Sequence, residues 1–140
     1  YNHKKLSLVT DEELNNQITG TDDLIENITG ERTTLLRPPY GYTNEKFNEK
    51  MTKPIILWSV DTRDWESRNA EIVRDKILKE VKDGDIILMH DIHASTAEAV
   101  KEVIPELIER GYQLVTVSEL YEYREATLLP GKVYRKFVNK

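Results

Sequence analysis

Ile55-Ile56-Leu57-Trp58-Ser59-Val60 is too continuously apolar to be a strand with one wet face, so it predicts a strand buried on both sides. Such a strand needs helices to cover it. The rest of the sequence supplies them in alternation with further short strands. Thr10 with Glu13 reads as a capping box. Leu14, Ile18, Ile25 and Ile28 then follow at near-helical spacing to Gly30, with a soft interruption expected at Gly20. Thr33 to Arg37 is a β-prone run ended by Pro38-Pro39, and Asn44 to Met51 reads as a short helix. Asn69 caps a helix with the stripe Ala70, Val73, Ile77, Val81, closed by Gly84 and followed by the strand Asp85 to Met89. A further helix is expected from Thr96, with Val100, Val103, Ile104 and Leu107 inward and Gly111 at its end. Pro105 should kink or split it. Tyr112 to Val117 reads as a strand, and Ser118 as the cap of a helix to about Tyr123. Residues 127–140, with Pro130-Gly131 and no period, read as a loosely packed C-terminal extension to a domain spanning 1–126.

This alternation predicts an α/β fold of parallel strands joined by crossover helices, either an open doubly wound sheet or part of a barrel. At 140 residues and 39% hydrophobic, the chain is sized for one core. Four strands cannot close a barrel, so a missing N-terminal piece, or another copy of the chain, is expected to cover the open edge. The chain starts at Tyr1 without a Met and runs straight into a helix, which reads as the inside of a longer protein. With 25 acidic against 20 basic residues and a net charge of -5, there is no positive stripe for nucleic acid or an anionic membrane. Zero cysteines leave metal and acid-base chemistry to His, Asp and Glu. No stretch approaches the roughly 20 apolar residues of a membrane helix. Asn27-Ile28-Thr29 fits a glycosylation acceptor, a triplet common by chance.

The residues with chemical potential follow apolar runs. In an alternating α/β chain, strand ends on one side share a rim, so these groups are expected to converge. His90 ends the run Ile86-Ile87-Leu88-Met89, where an imidazole can exchange protons or simply bond a backbone carbonyl. Asp61 and Asp64 follow the preceding strand. One of them can reach His90 and pair with its charged form, while capping of its own loop backbone is the plain reading of either and is expected of at least one. Arg37, followed by two prolines, reads either as a surface charge or as a planar fork fixed for a carboxylate, and the turn can orient the Tyr40 and Gly41 amides as an oxyanion donor. Trp65 and Leu88 flank these groups as a small apolar pocket or as plain core. His93, in a loop, reads as solvated.

The ordered set Asn2-His3, Arg37-Pro38-Pro39-Tyr40-Gly41, Asp61-x-x-Asp64-Trp65 and Leu88-Met89-His90 resembles the later motifs of the polysaccharide deacetylases, the carbohydrate esterase family four enzymes. It looks closest to bacterial peptidoglycan N-acetylglucosamine deacetylases and covers residues 1 to about 121. The resemblance implies the C-terminal part of a distorted (β/α) barrel with a divalent metal, usually zinc, held by one Asp and two His. His3 matches one of those ligands; the others, and the catalytic base, would lie upstream of Tyr1. The chain alone is therefore expected to be inactive and a poor zinc binder.

The resemblance further implies that His90 protonates the departing amine with Asp64 against it and that the Tyr40 amide holds the oxyanion. Arg37 would orient the base, and Trp65 and Leu88 would enclose the acetyl methyl. Asp61 and His93 carry no implied role. The function implied is metal-dependent N-deacetylation of peptidoglycan, at the cell surface or outside the cell, with a membrane anchor in the absent N-terminal region. Chitin or acetylxylan deacetylation is the alternative, as is an inactive relative that binds glycan.

Overall fold

Which apolar runs become ladder depends on partners remote in sequence, and the computed structural model, which describes residues 1–138, shows where those partners are. The chain divides into two units. One comprises Tyr1–Leu57 with Leu128–Tyr134, the other Trp58–Thr127 with the residues from Arg135 onward.

In the first unit, α1 (Asp11–Thr29) is capped by Thr10, whose Oγ1 accepts from the Glu13 amide at 3.2 Å. The reciprocal half of the expected box is missing because the Glu13 carboxylate is taken by Lys4 and Gln17. The helix passes Gly20 without the interruption expected there. It ends at Gly30, whose φ of 82° suits a residue without Cβ. Leu14, Gln17 and Asp22 form its buried face, while Ile28, expected inward, is exposed. Asp22 is held by Thr33 Oγ1 at 2.5 Å and by Lys53.

After α2 (Glu45–Glu49), capped by Asn44, comes β1 (Ile55–Ile56), buried on both sides as its composition requires. It pairs in parallel with β4 (Val133–Tyr134) in the register Ile55 to Val133, and Leu36 bridges Ile55 in parallel as well. Two expectations change here. The run Thr33 to Arg37 contributes that one bridge rather than a strand, because Pro38 stops the ladder. The segment expected to be loosely packed is a ladder strand: the amides of Ile55 and Leu57 donate to Lys132 and Tyr134 carbonyls, both at 2.8 Å.

The second unit runs β2 (Val60–Asp61), α3 (Asp64–Ser67), α4 (Ala70–Glu80), β3 (Ile87–Leu88), α5 (Ala94–Glu109) and α6 (Val117–Tyr123). β2 and β3 are parallel, Val60 to Ile87 and Asp61 to Leu88, with α3 and α4 as the crossover. The expected six-residue strand is thus two short ladders. In its second half the amides of Ser59 and Val60 both donate to the Ile86 carbonyl, a bulge-like arrangement.

Val73 and Ile77 of α4 meet Ala99, Val103 and Leu107 of α5 in the buried core of this unit. Each large aliphatic side chain there contributes about 1.5–3 kcal/mol on burial. α5 starts two residues before the expected Thr96 and continues through Pro105; Ile104 is partly exposed and Ala99 takes an inward place. Tyr112 to Thr116 forms no ladder among the described residues, and Leu114 and Val115 are exposed. The capping residue is Thr116, in a reciprocal box with Glu119, rather than Ser118. Phe137 is buried and its amide donates to Gly84 at 2.8 Å.

The fold class is the expected one, α/β with parallel strands and crossover helices. Among the described residues no helix is long and apolar enough to cross a membrane.

Candidate functional site

β2 and β3 end side by side, so the turns that leave them are neighbours, and the second unit gathers its polar groups there. Asp64, the first residue of α3, is fully buried. Its Oδ1 accepts from the Trp65 amide at 2.9 Å and lies 2.7 Å from His90 Nδ1. Its Oδ2 accepts from the His90 amide at 2.6 Å and from Thr96 Oγ1 at 2.8 Å. Burial pushes the Asp64 pKa up, but the bonds from the His90 ring and amide and from Thr96 outweigh it, and the carboxyl titrates below its ordinary value. Asp64 is therefore an acceptor only, which requires the hydrogen to sit on His90 Nδ1. Nε2 is then the ring atom left for chemistry, on a side chain 38% exposed.

Of the two aspartates that position alone left open, Asp64, the one the resemblance implies, takes the histidine, and Asp61 caps its loop, its Oδ1 accepting from the Arg63 amide at 3.0 Å. The turn between them is tight: Arg63 has a φ of 52°. His93 sits at the α5 N-cap without a side-chain cap bond, and its carbonyl accepts from the Thr96 amide at 3.0 Å. Leu88 is buried in β3. Trp65 is half-exposed, with the Arg63 guanidinium 5.8 Å from its ring centre.

Two residues here were missed by sequence reasoning. Thr62, 1% exposed, donates to the Leu88 carbonyl at 2.8 Å and ties the ends of β2 and β3. The sequence places Thr96 at a helix start; in the structure its hydroxyl donates to Asp64. The only available signal was a threonine two residues from an aspartate in one case and six from a histidine in the other.

The first unit carries the remaining predicted residues. Pro38 is fully buried and opens a turn in which the Gly41 amide donates to its carbonyl at 3.0 Å. Tyr40 in that turn has a φ of 61°, a left-handed conformation unfavourable for a tyrosine and found where surrounding structure imposes it. The residue is 62% exposed, and its ring meets the His3 ring edge-on, centres 4.7 Å apart. Arg37 Nε donates to the Ile56 carbonyl at 3.3 Å. By surface area the residue is exposed, while partial burial of its head draws its pKa down; the group is cationic in either case.

His3 is exposed and is one imidazole. Among the described residues no group of three or more His, Asp or Glu side chains is placed to hold a metal ion, so the residues present do not by themselves fit a divalent cation.

Residues 1–54 match the family model for polysaccharide deacetylase. The chain is 42% identical over 125 residues to a peptidoglycan-N-acetylmuramic acid deacetylase of Bacillus subtilis, covering 89% of this chain and 27% of that protein. Against the solved structure of that deacetylase, the TM-score is 0.85 over 89% of this chain and 62% of the other. It is 44% identical over 121 residues to a peptidoglycan-N-acetylglucosamine deacetylase of Listeria monocytogenes, covering 86% and 26%. A family 4 acetyl xylan esterase from Clostridium thermocellum, solved with a cobalt ion, superposes with a TM-score of 0.89 at 26% identity, over 96% of this chain and 68% of the esterase. The chain thus spans about a quarter of the length of these curated relatives.

Proposed function

The chain belongs to the polysaccharide deacetylases, and we propose that the full-length protein hydrolyses the N-acetyl group of N-acetylglucosamine residues in peptidoglycan, with His90 as the acid for the departing amine. The observation that carries this reading is the buried Asp64 carboxylate 2.7 Å from His90 Nδ1. An amine leaving a tetrahedral intermediate must gain a proton as the C–N bond breaks. A ring held by Nδ1 can deliver it only from Nε2, so Asp64 fixes both the tautomer and the direction of transfer.

Tyr40 supplies a backbone N–H for the oxyanion, from a turn already set in an unfavourable conformation. Arg37 orients the catalytic base, and Trp65 with Leu88 encloses the acetyl methyl. Family-four deacetylases are metal-dependent, and zinc is the ion we assign to the full-length protein. His3 is the single donor this chain offers it, so no step is derived through the ion.

The two peptidoglycan relatives act, by their names, on different amino sugars at nearly equal identity to this chain. The choice of N-acetylglucosamine therefore rests on the sequence motifs. Peptidoglycan lies outside the cytoplasmic membrane, which supports a cell-surface or extracellular location. The test is acetate release by the full-length protein from purified peptidoglycan, N-acetylglucosamine oligomers and acetylxylan. Release from the first two, with free glucosamine appearing in hydrolysed glycan, is expected. Release from acetylxylan alone, or binding without release, would overturn the reading.

A further inference from the structure

We propose that Thr96 is a positioning residue for this site, its hydroxyl locking the rotation of the Asp64 carboxylate so that Oδ1 faces the His90 ring. The inference rests on the reading of His90 as the acid.

A carboxylate turns easily about its Cβ–Cγ bond, because that torsion is broad and nearly two-fold. What holds Asp64 is its set of donors. Two are backbone amides, those of Trp65 and His90, which come with the fold. One is the His90 ring, the group whose protonation changes in the reaction. Among the described residues Thr96 Oγ1 is the remaining donor, and the one side chain on Asp64 that does not itself react.

Thr96 is well built for this. It is 2% exposed, and it is the third residue of the sixteen-residue α5, with its amide bonded to the His93 carbonyl at 3.0 Å. Its hydroxyl position is therefore set by a helix whose inner face, Ala99, Val103 and Leu107, is the core of the unit. Its bond to Asp64 also lowers the carboxyl pKa, keeping the acceptor ionised while the ring gives up its proton. Removing the hydroxyl leaves one Oδ2 site unfilled in a place water does not reach, and leaves the carboxylate's orientation toward the ring to the two backbone amides alone.

The experiment compares Thr96→Val, Thr96→Ser and the parent in the full-length protein. A hydrogen bond to a charged group lost without replacement corresponds to about a ten- to hundredfold change. Thr96→Val is expected to lower kcat by that factor with KM nearly unchanged, and Thr96→Ser to restore most of it. In spectra of protein with labelled histidine, the His90 Nδ1–H resonance is expected to broaden through solvent exchange in Thr96→Val and to persist in Thr96→Ser. The Asp64 carboxyl should titrate higher in Thr96→Val. Should that variant fail to fold, Thr96→Ala replaces it. An unchanged Nδ1–H resonance in a folded variant lacking the hydroxyl, or a variant with the parent kcat, overturns the proposal. Absence of acetate release by the parent sinks the reading of His90 as the acid, while the resonance still decides the role of Thr96.

Discussion

Replacing Asp64 by Asn is nearly isosteric, yet the donors around it determine a large cost. Four hydrogen bonds converge on the carboxylate, two on each oxygen. An amide keeps one acceptor oxygen and puts an NH2 where the other stood. If the oxygen faces the His90 ring and the Trp65 amide, the NH2 meets the His90 N–H, which sat 2.6 Å from Oδ2. Thr96 can rotate its hydroxyl to accept, but a backbone N–H cannot. The opposite flip satisfies His90 N–H and abandons the Trp65 amide.

Either way a buried amide is left unpaired, at about 1–3 kcal/mol, and charge-assisted bonds become neutral ones. The expected loss of stability is about 3 kcal/mol, read from the urea midpoint of the full-length protein at unchanged slope. The sign of the pH dependence follows from the lowered Asp64 pKa. The stabilisation is complete above the unfolded value of about 4 and disappears as pH falls through the folded one. The parent should therefore lose stability below about pH 4 more steeply than Asp64→Asn. A variant within about 0.5 kcal/mol of the parent at neutral pH, or one with the same acid slope, would refute the claim that this carboxylate is ionised and fully bonded.

Gly84 has a φ of 84°, and a Cβ there would stand 1.9 Å from the Phe137 carbonyl oxygen. Gly84→Ala is expected to disrupt the Phe137 to Gly84 bond, seen as faster hydrogen exchange at the Phe137 amide; retained protection would contradict it. Leu107, 2% exposed between α4 and α5, should cost about 2–5 kcal/mol as Leu107→Ala in the same urea assay, and a cost under about 1 kcal/mol would mean that this core is loose.

What sequence revealed and what it hid divide by range. Thr10 and Asn69 act on amides three residues away, so their caps were legible locally. The stripe Val73-Ile77 was legible because helical spacing is a local property. Tyr112 to Thr116 has strand composition, but a strand exists only where a ladder partner does. Val133-Tyr134 is a β-prone pair too short and too isolated to predict a strand, and it becomes one because Ile55 lies beside it.

The site followed the same rule. A pairing of His90 with a neighbouring aspartate was within reach because successive parallel strands bring their ends together; position alone did not separate Asp64 from Asp61, the family resemblance did, and the turn at Arg63 shows the physical reason. Thr96 was hidden because a threonine near a helix start ordinarily serves its own backbone.

The most direct test of the central claim compares His90→Ala and the parent, both full-length, on two substrates: an N-acetylglucosamine oligomer, whose amine needs a proton to leave, and p-nitrophenyl acetate, whose phenolate does not. If Asp64 holds His90 to protonate the leaving group, the variant loses about 10²–10⁴-fold in kcat on the amide and little on the ester. Equal losses on both substrates, or an unchanged rate on the amide, would contradict it.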